Sequence, residues 1–293
     1  MYGQKWRTRG MPLNYERIMA HRPADITVSY GPRDCIVYAL GIGLGMDPVH
    51  AGELQFVYEK NLVAFPTMAV VLGRHGPLRD ASFGLDPRMM VAAALKVMLH
   101  RPLAPEGKLV ARLRLREVID KGAGSAAIIE TTRDLHAADG ELVATVDHST
   151  LARKHGGFGG KVTAVAEPHT VPTRAPDATH ELPTPPNLAL IYRLSGDENP
   201  LHSDPEHALA VGFARPILHG AATFGIAGHG VLRQLDYRAE RLATIEARFV
   251  RPVFPGDTLR AELWRDGNRI SFQLGVVGRD GLVLTNGLAT LRT

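Results

Sequence analysis

The chain has 293 residues, 45% of them hydrophobic and 22% charged, with a net charge of +4 at neutral pH and one cysteine, Cys35. That balance excludes a disordered chain, an internal disulfide and a thiolate metal cluster, and leaves ample material for a buried core. No apolar run approaches the ~18 residues of a membrane span, and 6% aromatics without a zinc-finger or RNP-like pattern argue against nucleic acid as a partner.

At roughly 100–200 residues per domain the length suggests about two domains. The opening, MYGQKWRTRG, is charged but is not followed by an apolar h-region, so no secretory signal is expected. The last three residues, Leu291-Arg292-Thr293, are not the peroxisomal tripeptide. The lone cysteine fits a reducing compartment, and the expected location is cytoplasmic.

In chain order, an irregular glycine-rich opening is followed by an apolar segment over 89–99, which is read as a helix. Strands come next. Arg112, Arg114 and Arg116 alternate along one of them and read as a solvated strand face. The cluster Gly156-Gly157-Phe158-Gly159-Gly160 then opens a stretch carrying Pro168, Pro172, Pro176, Pro183, Pro185 and Pro186. Proline at that density opposes helix and central strand, so 156–186 reads as a linker between a first unit, 1–155, and a second, 187–293. The second unit has a helix over 220–235 and strands over 245–250, 258–264, 270–277 and 282–288. Arg265-Asp266-Gly267-Asn268 and Gly278-Arg279-Asp280-Gly281 are its hairpin turns.

The two halves repeat one plan. Arg101-Pro102 and Pro105 lie 150 positions before Arg251-Pro252 and Pro255, and the same offset pairs Leu109, Ala111 and Leu113 with Leu259, Ala261 and Leu263. Leu142-Val143 and Thr145 match Leu282-Val283 and Thr285; Tyr38 and Leu40 match Tyr192 and Leu194. Three blocks in one order argue for a tandem duplication. The fold class is α+β, two units that each set a helix against an antiparallel sheet.

The densest polar segment runs from Tyr192 to His202. Gly196, Asn199 and Pro200 wind it into a tight turn, so Asp197 and His202 can point into one cleft. A carboxylate and an imidazole aimed at one space can hold a water and move its protons. The same residues also suit a plainer role, Asp197 and Asn199 capping the turn and His202 a satisfied buried histidine. The offset of 154 that pairs Tyr38 with Tyr192 places Gly43, Gly45 and Pro48 opposite Asp197, Asn199 and His202. The first unit therefore lacks all three polar groups, which reads as an inert copy of an active one. Asp204-Pro205 is a helix start. At Gly220 small residues open a helix, whose free amides suit an oxygen gaining negative charge or mere close packing.

These residues resemble the MaoC-like, R-specific 2-enoyl-CoA hydratases. The resemblance rests on Gly196-Asp197-Glu198-Asn199-Pro200-Leu201-His202, on Pro216-Ile217-Leu218-His219-Gly220, and on the run from Ala247 to Asp257. In the first half it rests on Tyr38 to Gly41, Phe56 to Glu59, Pro66-Thr67, Asp120-Lys121-Gly122 and the cluster at 156–160. It implies a double hot dog, with the second repeat catalytic and the first accommodating the acyl chain. It implies that Asp197 and His202 activate one water, that Asn199 supports them, and that the Gly220 amide binds the thioester oxygen. Glu198, Pro200, Leu201, Phe249 and Lys121 would contact the acyl-CoA; Lys121 also reads as an ordinary solvated lysine. The implied partner is an acyl-CoA thioester, with no separate cofactor, no metal, no membrane, and a homodimer as the assembly. Where the family often carries Leu-His-Gly-Glu-Gln, this chain reads Val91-Ala92-Ala93-Ala94-Leu95, which removes a His-Gly contact and leaves acyl shape open. Competing readings are a dehydratase of carrier-bound acyl groups, a thioesterase and an acyl-CoA-binding module. Thirteen histidines show no HExxH or comparable ligand spacing.

Overall fold

The computed structural model describes residues 12–74, 80–160 and 167–292. The charged opening segment and linker residues 161–166 lie outside them. Strands β1 (Ile26–Tyr30), β2 (Met90–Leu99), β3 (Gly107–Asp120), β4 (Ala126–Ala137) and β5 (Leu142–Arg153) belong to the first unit. β6 (Ala178–Pro183), β7 (Leu242–Phe249), β8 (Thr258–Asp266), β9 (Arg269–Val276) and β10 (Arg279–Leu291) belong to the second. Helices α1 (Tyr15–Ala20), α2 (Pro32–Gly41) and α3 (Ala51–Val57) precede β2; α4 (Leu188–Tyr192), α5 (Pro205–Ala210) and α6 (Gly220–Arg233) precede β7.

The strands form one sheet in the order β1-β3-β4-β5-β2-β7-β10-β9-β8-β6. Outward from the β2–β7 seam the two sides repeat each other strand for strand, which is the duplication read from the sequence. β2 and β7 pair antiparallel, Leu95 opposite Ala247 and Val97 opposite Ile245, so each unit covers the other's open edge. This is the double hot-dog arrangement. The arginines of β3 do lie on a solvated face, where Arg112, Arg114 and Arg116 pair with Asp25, Asp134 and Asp147.

Two sequence expectations are corrected. Residues 90–99 of the segment 89–99 are a strand, β2, and not a helix. Leu95, Val97 and Leu99 are buried at every second position, and strands on both sides satisfy its backbone. An apolar run this short fits either element, and its neighbours decide. The linker is also shorter than 156–186, because β6 lies within it. β6 pairs with β8 on one side only and ends at Pro183, as an edge strand permits.

α6 sits where it does because it is apolar all round and threaded with glycine. Every residue from Ala222 to Leu232 is buried. A Cβ on Gly225 would lie 2.5 Å from Ile42 Cγ2, and one on Gly228 would lie 3.0 Å from Thr67 Cγ2. The helix can therefore press against the first unit only with glycine there. Tyr38 and Tyr192, paired by the duplication, meet with ring centroids 5.9 Å apart beneath it. The longest described helix is too short to cross a membrane.

A buried polar knot also joins α3 to α6. Glu53 accepts from the Gly45 amide at 2.8 Å and from the Tyr237 hydroxyl at 3.0 Å, and His229 Nε2 lies 3.3 Å from the same carboxylate. Burial alone would raise the Glu53 pKa, but His229, the Gly45 amide and Tyr237 outweigh it and bring it down to about 2. A folded value below the unfolded one stabilises the protein above the unfolded pKa, and that stability is lost as pH falls toward the folded one. Glu53→Gln should lower stability by roughly 1–3 kcal/mol near neutrality. The gap to wild type in thermal melts should close between pH 4.5 and about 2; a gap constant down to that pH would contradict the account.

Candidate active site

The turn that carries Asp197 and His202 is built by its own residues. Gly196 takes a left-handed φ of 97° that glycine adopts without strain. Pro200 starts a short 3-10 turn, Pro200–His202, and Asn199 Oδ1 caps it by accepting from the Leu201 amide at 3.1 Å. Wound this way, the chain turns the His202 ring inward, where it is buried. Its Nδ1 lies 2.9 Å from the Ile217 carbonyl. A carbonyl only accepts, so Nδ1 carries the hydrogen and Nε2 keeps a lone pair.

His219 stacks on His202 with ring centroids 3.8 Å apart, and the Tyr192 ring packs 4.9 Å from His219. His219 Nε2 lies 3.0 Å from the Asp197 carbonyl, so it donates there and pins the backbone of the acid. Its Nδ1 has no donor among the described residues. The Asp197 side chain, 14% exposed, places Oδ2 at 2.8 Å from Arg74 Nη1. Arg74 comes from the first unit, so that unit supplies the counter-charge to the turn of the second.

Burial opposes ionisation of Asp197, but the Arg74 guanidinium, with the two imidazoles, outweighs it and holds the carboxyl below its ordinary range. Burial pulls His202 below the usual histidine value, partly offset by Asp197. Burial, reinforced by the facing His202, takes His219 down to about 3. Near neutrality the site therefore holds one carboxylate and two neutral imidazoles. The ligating atoms of Asp197, His202 and His219 lie within 4.8 Å of one another. That spacing suits a metal ion or a water. A guanidinium already compensates the carboxylate, so the electrostatics favour water.

α6 begins directly after His219. The amides of Gly220, Ala221 and Ala222 donate to nothing among the described residues, as expected of a first helical turn, and the helix dipole is positive there. A Cβ on Gly220 would sit 3.4 Å from Phe249 Cε1 and 3.6 Å from Ala92 Cβ, so these two side chains wall the opening. Both are hydrocarbon, so the wall is apolar.

The structure thus brings Asp197, His202, Gly220 and Phe249 into one neighbourhood. Asn199 supports it by capping the turn, since its described side-chain bond stays within that turn. Glu198 and Pro200 are exposed and Leu201 is half-buried. Lys121 is exposed in the β3–β4 turn. That turn is tied to the glycine cluster by Asp120, which accepts from the amides of Gly122, Gly157 and Gly159. No described contact joins Lys121 to Asp197. Sequence reasoning missed Arg74 and the part played by His219. His219 adjoins Gly220, so its position carried a signal; Arg74 carried none, because only folding brings it to Asp197.

The family description "MaoC like domain" matches residues 167–286, and "MFE-2 hydratase 2 N-terminal domain" matches 28–154. An enoyl-CoA hydratase of Mycobacterium tuberculosis is 34% identical over 95% of this chain and 98% of its own. The peroxisomal enoyl-CoA hydratase 2 of Arabidopsis thaliana is 36% identical over 94% of this chain and 95% of its own. The crystal structure of a MaoC-like dehydratase from Phytophthora capsici superposes with a TM-score of 0.83 at 32% identity, covering 95% of this chain and 98% of the other.

The hydrogen bonds fix opposite tautomers for the stacked histidines. Nitrogen-15 NMR of the imidazoles near pH 8 should show His202 with hydrogen on Nδ1 and His219 with hydrogen on Nε2. Hydrogen on the opposite nitrogen of either neutral ring would contradict the geometry.

Proposed function

The chain belongs to the MaoC-like hydratase 2 family, and from that membership we propose a hydro-lyase that reversibly adds one water to a trans-2-enoyl-CoA, giving an (R)-3-hydroxyacyl-CoA. The observation that carries the reading is the convergence of an ionised Asp197 and the His202 imidazole, whose Nε2 keeps a lone pair, beside the unbonded amides that start α6.

Both groups are acceptors. A water between them offers its two hydrogens to the pair and its oxygen lone pair to the substrate. As the new C–O bond forms at the β-carbon, the electron pair of the double bond moves to the α-carbon and onto the thioester oxygen. The Gly220 amide, at the positive end of a helix, stabilises that charge where it develops. The pair takes one proton from the water and delivers one to the α-carbon, so the sum is a single water added and no cofactor is consumed. Because the pair lies on one side of the substrate, both new bonds form on the same face. Asn199 keeps the turn wound, His219 holds the acid's backbone, and Arg74 keeps Asp197 ionised.

Loss of the conjugated-thioester absorbance of a trans-2-enoyl-CoA, with chiral analysis of the product, tests the reaction directly. Release of free CoA, read with a thiol reagent, would point to a thioesterase instead. Asp197→Asn and His202→Ala should each keep the circular-dichroism spectrum of wild type and lose about 10²–10⁴-fold in turnover. Wild-type rates in either variant would overturn these roles. The acid limb of the activity profile follows the same electrostatics. Asp197 is active above its depressed pKa and is lost as pH falls through it. In Arg74→Met burial acts without its largest opponent, so the limb should move to higher pH. An unmoved limb would remove Arg74 from the account.

A further inference from the structure

Arg133 lies on β4 and faces inward, while the neighbouring acids Glu130, Asp134 and Asp147 face outward. Asp134 pairs with Arg114 and Asp147 with Arg116, and Glu130 takes the Ser149 hydroxyl. Arg133 itself is 8% exposed. Its Nη2 donates to the carbonyls of Ala69 and Val70 at the end of the 3-10 turn Pro66–Val70. Its Nε has no partner among the described residues, and no described carboxylate lies within ion-pair distance of the guanidinium. Two neutral carbonyls satisfy hydrogens but do not balance a charge.

This cation belongs to the same region as the proposed reaction site. Thr131, two positions along the inner face from Arg133, pairs in register with His148, and His148 is opposite Leu95 of β2. Leu95 is in turn opposite Ala247 of β7, two residues before Phe249 at the mouth of α6. Arg74, bonded to Asp197, is close enough to act electrostatically on both His148 and Arg133.

The charges there do not cancel. Arg74 and Asp197 offset each other. Burial, then the two guanidiniums, brings His148 down to about 4, so it is neutral. Burial and the nearby Arg74 lower Arg133 to about 10, so it stays charged near neutrality. One buried positive charge is left near the Arg74–Asp197 pair, in the unit expected to take the acyl chain. A plain alkyl tail lying on it would deprive it of water and give nothing in return.

Resting on the hydratase reading above, we propose that Arg133 receives a carboxylate carried on the substrate's acyl group, so that the preferred substrates are carboxyl-terminated enoyl-CoA thioesters of short chain. A carboxylate matches the guanidinium fork and supplies the missing charge.

The test is binding, which needs no turnover. Titration calorimetry on the full chain would compare hexanoyl-CoA with adipoyl-CoA, which have the same chain length but end in a methyl and a carboxylate. Wild type should bind adipoyl-CoA tighter by about tenfold or more, and in Arg133→Met the ratio should fall to near one. Equal or weaker binding of adipoyl-CoA by wild type, or a preference that survives in folded Arg133→Met, overturns the proposal. The wild-type comparison decides even if the variant fails to fold. The preference without hydration of any enoyl-CoA would sink the hydratase reading; hydration without the preference would sink only this inference.

Discussion

The ion pair between Arg74 and Asp197 is the contact on which the rest of the site depends. Burial favours the protonated form of Asp197, and a protonated Asp197 could not act as the base that the proposed hydration asks of it. The counter-charge comes from the other repeat. The two units are therefore coupled chemically as well as by the shared sheet. The backbone of the same aspartate is fixed from a second direction by His219, whose ring stacks on His202. One imidazole thus sets the position of the acid and spaces the other imidazole.

The duplication explains how such a site arises. Both units contribute the same strands to one sheet, and Tyr38 meets its counterpart Tyr192 beneath α6. At the turn the copies diverge. The first carries Gly43, Gly45 and Pro48 where the second carries Asp197, Asn199 and His202. The first unit also lacks a helix like α6 among its described residues; the 3-10 turn Pro66–Val70 packs against α6 instead. The first unit also carries two polar groups, Arg133 and His148, on one face of its strands.

Much of this was legible in the sequence because it is local. Gly196, Asn199 and Pro200 define the turn, Asp204-Pro205 caps α5 as expected, and the hairpin signals place β8, β9 and β10 within a few residues. The misreadings were tertiary. Residues 90–99 form a strand because β5 and β7 flank them, and nothing in an alanine- and methionine-rich run declares that. β6 hides in a proline-rich stretch because an edge strand needs hydrogen bonds on one side only. Arg74 was invisible for the same reason. An ion pair between distant segments leaves no periodicity or spacing to read, whereas a motif that closes within six residues does.

The central claim is that one acid and one imidazole act on a single water from one side of the substrate. Hydration of a trans-2-enoyl-CoA in deuterium oxide tests it most directly. The account predicts one deuterium at the α-carbon, on the same face as the new hydroxyl, in an R product. Addition across opposite faces, an S alcohol, or thiol release without any hydroxyacyl product would contradict it.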